Sequence, residues 1–183
     1  MEACSPIIDR NIIEQIKQKY LEKNQIRELL LFLISINTGV KLVDLLKLKV
    51  CDIKNKDLLV VTESDTGKKK VFPLNSEIKE LAKKYTKNRK SDEPLFISVF
   101  GKPVDRVQVF RNFKEICEEL GIKNSYSVSS WRKTFAYHYY KKYKDLAYLM
   151  WLFNQPSVSV AFKFIGVGIE ENMNLRFREG VCL

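Results

Sequence analysis

Long apolar runs are missing from this 183-residue chain, the longest being Leu29–Ile34 and Leu146–Phe153. Both fall well short of the roughly 20 residues that a membrane-spanning helix needs, so no membrane partner is expected. Residues 1–9 carry an acid, Glu2, and no basic stretch followed by an apolar one. They do not read as a secretory signal, and a cytoplasmic location is expected. The chain holds a single histidine, His138, and four cysteines, Cys4, Cys51, Cys117 and Cys182, with no C-x-x-C spacing. Zinc ligands come in closely spaced pairs, so the thiols read as reduced small hydrophobes, and neither a metal nor a cofactor is expected. Only seven glycines are present, and the patterns G-x-x-x-x-G-K-[ST], H-E-x-x-H and G-x-S-x-G are all absent. Nucleotide-cradling loops and the common hydrolase signatures are thereby excluded.

Positive charge is what the chain has in excess: 32 Lys+Arg against 22 Asp+Glu leaves a formal net charge of +10. A compact basic domain favours a polyanionic partner, with nucleic acid foremost. Hydrophobic residues make up 45 % of the chain, enough for a packed core. The length suits one domain covering residues 1–183.

Periodicity supplies the elements. Asp9 is placed to cap a helix ending near Asn24, with Ile12, Ile13, Ile16 and Tyr20 on one stripe. A second helix, Ile26 to Asn37, is apolar nearly all round, as a buried helix would be, and Gly39 stops it. A short helix follows from Leu42 to Leu48. Leu58–Thr62 and Lys69–Phe72 are β-prone and joined by the turn-forming Ser64–Gly67, which reads as a hairpin. Asn75 or Ser76 caps a helix from Glu77 to about Lys87. Leu95–Val99 reads as a third strand, and Val104–Leu120 as an amphipathic helix. Ser129 or Ser130 caps a helix from Trp131 to Tyr143, Asp145 another reaching about Phe153, and Pro156 opens a third in its first turn. Glu170–Arg178 is helical in composition. The fold class is α+β, mainly α-helical, with a small antiparallel β-sheet on one side.

Four segments, in order along the chain, resemble the signatures of the tyrosine recombinase (phage integrase) family. Thr38-Gly39-Val40-Lys41 with Asp44 resembles the T-G-[LM]-R motif and its acid three residues on, with Lys41 standing at the first catalytic arginine. Thr62 to Leu74 resembles the family's hairpin, where a lysine before the T-G pair protonates the leaving oxygen; here that position is Asp65. Ser129-Ser130-Trp131-Arg132-Lys133-Thr134-Phe135-Ala136 resembles the H-x-x-R-[HK]-T-F-[AG] box, with Ser129 at the histidine. Phe153 to Val167 resembles the closing signature, with Gln155 at its histidine and Phe164 at the nucleophilic tyrosine. The resemblance spans about residues 8–178 and implies a tyrosine-recombinase-like catalytic domain without an N-terminal core-binding domain. It also implies a C-terminal tail, residues 168–183, that assembles with a second copy or with an active recombinase.

The substitutions set what chemistry to expect. The family reaction joins a tyrosine oxygen to a DNA phosphate, and Phe164 has no hydroxyl to offer. Lys41 presents a point charge in place of a bidentate guanidinium. Asp65 inverts a charge, and Ser129 and Gln155 do not titrate near neutral pH as histidine does. The tyrosines from Tyr137 to Tyr148 read as packing residues rather than displaced nucleophiles. The expectation is a double-stranded-DNA-binding protein without strand cleavage, a regulator or accessory factor of a mobile element. Arg132 is the retained phosphate ligand, unless it pairs with Asp44, and Lys133, Lys41, Lys68, Lys69, Lys70 and Lys163 line the same face. The alternatives are an interaction module that works through its tail, and an integration enzyme with residual activity.

Overall fold

The computed structural model describes residues 4–98, 100–122 and 126–168. Helix α1 (Arg10–Glu22) starts where the Asp9 carboxylate accepts the Asn11 N–H at 2.8 Å. Helix α2 (Ile26–Thr38) buries every residue from Leu29 to Ser35, and Gly39 ends it in the left-handed conformation at φ +68°. The short α3 (Leu42–Leu45) and a 3-10 turn (Val50–Asp52) lead into β1 (Leu58–Thr62) and β2 (Lys69–Pro73). These strands pair antiparallel in the register Leu58↔Pro73, Val60↔Val71, Thr62↔Lys69. Asn75 caps α4 (Ser76–Tyr85), Asp105 caps α5 (Arg106–Glu119), Ser127 caps α6 (Val128–Tyr143), Asp145 caps α7 (Leu146–Phe153) and Ser157 caps α8 (Val158–Ile165). Each capping oxygen accepts a backbone N–H that the helix cannot satisfy itself.

The core is built around α2, which packs against α1, α4 and α6. Its Phe32 meets Trp131 of α6 edge-on at 5.5 Å between ring centroids, and Trp131 meets Phe113 of α5 edge-on at 5.1 Å. Edge-to-face contacts of this kind add to the energy of burying the rings. The segment before α1 lies along α6: the Ile7 N–H donates to Thr134 Oγ1 at 2.9 Å, and the Ile7 carbonyl lies 3.0 Å from His138 Nε2. His138 is thus a packed, hydrogen-bonded side chain.

Several boundaries differ from the sequence reading. Of the expected strand Leu95–Val99, the described residues 95–98 form no strand; two isolated bridges, Lys49↔Pro94 and Ile97↔Pro103, stand there. Leu95 and Phe96 are adjacent and both fully buried, which breaks the alternation of a strand, and both prolines lack the N–H a ladder needs. Helix α3 stops at Leu45, where the Lys47 and Leu48 N–H groups donate three residues back, to the Asp44 and Leu45 carbonyls at 3.2 and 3.1 Å, and the Leu48 carbonyl accepts from the Leu95 N–H at 2.6 Å. Helix α6 opens at Ser127 rather than at Ser129 or Ser130, and α8 opens at Ser157 after Pro156. Glu170–Arg178 lies outside the described residues. No described helix is long and apolar enough to cross a membrane.

Gly39 carries a testable constraint. A Cβ there would lie 2.7 Å from Phe153 Cζ and 2.8 Å from Phe135 Cδ1, whereas at Gly67, with the same φ of +68°, nothing lies within 4 Å. Gly39→Ala is expected to cost about 2–4 kcal/mol, the sum of backbone strain and overpacking. Gly67→Ala should cost only about 1 kcal/mol. Urea unfolding midpoints of the two variants check the difference.

Candidate functional site

The turn after α2 and the first turns of α6 and α5 converge on one cavity of about 200 Å³, lined by Lys41, Arg106, Ser129 and Arg132 against the apolar Phe110 and Val128. Ser129 and Arg132 share a face because they are three residues apart on a helix. The Arg132 side chain is fixed: Nε donates to the Gly39 carbonyl at 2.8 Å, and the guanidinium carbon lies 5.0 Å from the Phe153 ring centroid and 5.9 Å from that of Phe164. Burial pushes its pKa down, while the nearby Glu63, Asp44 and Asp65 pull it up; guanidinium remains charged in either case. Arg132 forms no ion pair with Asp44 among the described residues.

Other positions of the signatures gather around it. The Phe164 ring packs on Phe153 at 4.7 Å, half-buried. Gln155 makes one long hydrogen bond, from Nε2 to the Phe153 carbonyl at 3.5 Å. Ser129 is exposed. The Lys41 ammonium is ion-paired with the Asp65 carboxylate. Asp44, 3 % exposed, accepts from both the N–H (3.1 Å) and the hydroxyl of Ser64 through Oδ1; its Oδ2 is buried without a hydrogen-bond partner.

The lysines divide. Lys68, Lys69 and Lys163 are exposed. Lys133 turns toward the segment before α1 and donates to the Cys4 carbonyl at 2.6 Å. Lys70 departs from the expected phosphate-facing position: it is 3 % exposed, pairs with Glu63 at 2.7 Å and donates to the Leu152 carbonyl. Strand alternation explains this, because Lys70 shares the inward face of β2 with Phe72, opposite Val61. Glu63 also accepts from Thr66 Oγ1 (2.7 Å) and Asn154 Nδ2 (3.2 Å). Burial alone would raise the Glu63 pKa; the hydrogen bonds from Lys70, Thr66 and Asn154 outweigh it and hold the carboxyl at about 2. Arg106, Glu63 and Asn154 were not singled out from the sequence. Glu63 and Asn154 lie inside the quoted segments Thr62 to Leu74 and Phe153 to Val167, whereas tertiary packing brings Arg106 to the site, its one local hint being its place directly after a capping aspartate.

With this geometry in view, the comparisons with known proteins decide the family. The model of the Phage integrase family matches residues 7–163. The chain belongs to that family. It is 37 % identical over 168 residues to the probable integrase/recombinase YoeC of Bacillus subtilis (strain 168), covering 91 % of this chain and 92 % of YoeC. Among solved structures, XerA recombinase superposes with a TM-score of 0.78 at 15 % identity, over 98 % of this chain and 68 % of that one. A lambda integrase dimer bound to a COC′ core site superposes at 0.70 with 19 % identity, over 90 % of this chain and 49 % of that one. The chain therefore spans nearly all of YoeC but about half of lambda integrase. Its mainly helical architecture with a two-stranded antiparallel sheet is the tyrosine recombinase catalytic fold.

The Glu63–Lys70 pair makes the site's support sensitive to acid. The folded-state pKa of Glu63 is depressed, so its contribution to stability is present above the unfolded pKa and is lost as pH falls toward about 2. Glu63→Gln leaves a buried ammonium without its counter-charge and is expected to cost about 3–5 kcal/mol at neutral pH. The variant should also lose part of the wild-type stability change between pH 4.5 and 2, which thermal melts across that range would measure.

Proposed function

We propose that this chain is a double-stranded-DNA-binding domain that holds a backbone phosphate at Arg132 without cutting the strand. The observation that carries the reading is the cavity in which Arg132 and Arg106 meet Ser129, with the hydroxyl-free Phe164 ring 5.9 Å from the guanidinium carbon. A planar guanidinium held on a backbone carbonyl is pre-oriented for a phosphate oxygen. A phosphodiester set there meets no tyrosine oxygen at position 164, no imidazole at 129 or 155, and no lysine at 65. Each missing acid or base costs about 10²- to 10⁴-fold in rate, and such groups act as a unit. The exposed Lys68, Lys69 and Lys163 extend the positive face along the duplex. The solved lambda integrase structure is a dimer bound to a core site, which supports the DNA reading and association with a second copy. The cellular role that fits is that of a regulator or accessory factor of a mobile element.

Wild-type protein is expected to bind labelled duplex with a log–log salt slope of several units, set by the phosphates neutralised. Arg132→Gln should weaken binding about 10- to 100-fold, the range for losing a charge-assisted hydrogen bond. Neither wild type nor Phe164→Tyr should form a covalent adduct with nicked or intact duplex on denaturing gels. An adduct with the wild type would overturn the non-cleaving reading, and an adduct with Phe164→Tyr would show that the other substitutions are tolerated.

A further inference from the structure

We infer that Asp65 is a tethered competitor for the phosphate: its carboxylate occupies the anion position at Lys41 and so limits the chain's affinity for DNA. This inference rests on the DNA-binding reading of the same cavity.

Lys41 sits at the N-terminal end of α3 and lines the cavity beside Arg132 and Arg106. Its ammonium is taken by Asp65, a residue of the turn between β1 and β2 that is 24 positions away in sequence. The other two cations of the cavity lack such a carboxylate. Arg132 bonds the Gly39 carbonyl, and Arg106 forms no ion pair among the described residues. Among the described residues Lys41 alone of the three cations is ion-paired; Arg132 feels Glu63, Asp44 and Asp65 without direct contact.

The turn that carries Asp65 is held without help from Lys41. Asp44 Oδ1 accepts from the Ser64 N–H and hydroxyl, and Lys47 Nζ donates to Ser64 Oγ at 2.6 Å. On the other side, the Gly67 N–H donates to the Glu63 carbonyl at 2.9 Å and Thr66 Oγ1 donates to the Glu63 carboxylate at 2.7 Å. Glu63 itself is anchored by Lys70 and Asn154. Asp65 is thus delivered to Lys41 by a scaffold already ordered, and a group presented this way acts at a high effective concentration. A duplex phosphate must displace it to reach Lys41. The side chain of Asp65 is 60 % exposed, so the carboxylate can swing into solvent without disturbing the core.

The test is a cycle of four full-length proteins: wild type, Asp65→Asn, Lys41→Ala and the double variant. Each is titrated by fluorescence anisotropy against one labelled duplex across a range of sodium chloride concentrations, with thermal melts to confirm folding. Asp65→Asn is expected to bind about tenfold more tightly at fixed salt. Its salt slope should steepen by about 0.9, the increment for one further phosphate neutralised. In the Lys41→Ala background the same substitution should leave the slope unchanged and raise affinity no more than about threefold, since only repulsion is relieved. Equal gains in both backgrounds without a change of slope would overturn the inference, reducing Asp65 to one more surface charge. So would an Asp65→Asn protein that binds like the wild type. If wild type and all three variants fail to bind duplex, the DNA-binding reading itself falls and this inference with it. If wild type binds with a steep salt slope and the cycle is flat, only this inference falls.

Discussion

The hydrogen bond from Arg132 Nε to the Gly39 carbonyl joins the two parts of the molecule that have to meet. Gly39 can offer that carbonyl because its left-handed backbone turns the chain back at the end of α2, and because it has no Cβ to strike Phe153 and Phe135. Phe153 then lies against both the guanidinium and Phe164, and the guanidinium in turn faces Phe164. Helices α2, α6, α7 and α8 thus meet around one side chain. Dispersion and cation–π contact hold the charge in place where a counter-ion would otherwise be needed.

Around this centre the electrostatics are arranged so that few charges stand alone. Buried Lys70 has Glu63 and the Leu152 carbonyl, Lys41 has Asp65, and Lys133 has the Cys4 carbonyl. A net positive chain therefore shows less positive charge at its cavity than its composition suggests. The exposed positive charge is spread over the rest of the surface, Lys68 and Lys69 of the hairpin and Lys163 of α8 included.

What could be read in the sequence was local. Asp9, Asn75 and Asp145 each cap a helix through their own side chain, and the apolar pattern of α2 announces burial on all sides. The start of α6 reads too late from the sequence, at Ser129 or Ser130, because those serines are equally cap-forming and Ser127 is passed over. The structure resolves it by a reciprocal arrangement in which Ser127 Oγ accepts the Ser129 N–H and Ser130 Oγ accepts the Ser127 N–H. The run Lys68-Lys69-Lys70 reads as part of one phosphate-binding face, yet the period of two that marks β2 already sets Lys70 on the side of Phe72. The order of the four signature segments pointed to the family; of their odd residues, Lys41 and Ser129 line the Arg132 cavity, Asp65 pairs with Lys41 and the Phe164 ring faces the guanidinium, while Gln155 bonds the Phe153 carbonyl. Arg106 showed only its place after a capping aspartate, because its position at the cavity depends on how α5 lies against α6.

The segment before α1 bears on how the chain assembles in time. Ile7 is fully buried, and the hydrogen-bond partner of its N–H, Thr134, lies 127 positions further along the chain. The partner of its carbonyl, His138, lies 131 positions away. Closing so long a loop gains nothing until the intervening helices have shortened the distance. The stretch around Ile7 is therefore made early and seated late. During synthesis its apolar side chain must wait, unpaired, until α6 has emerged, which makes this short piece of chain a natural handle for whatever guards the unfinished protein.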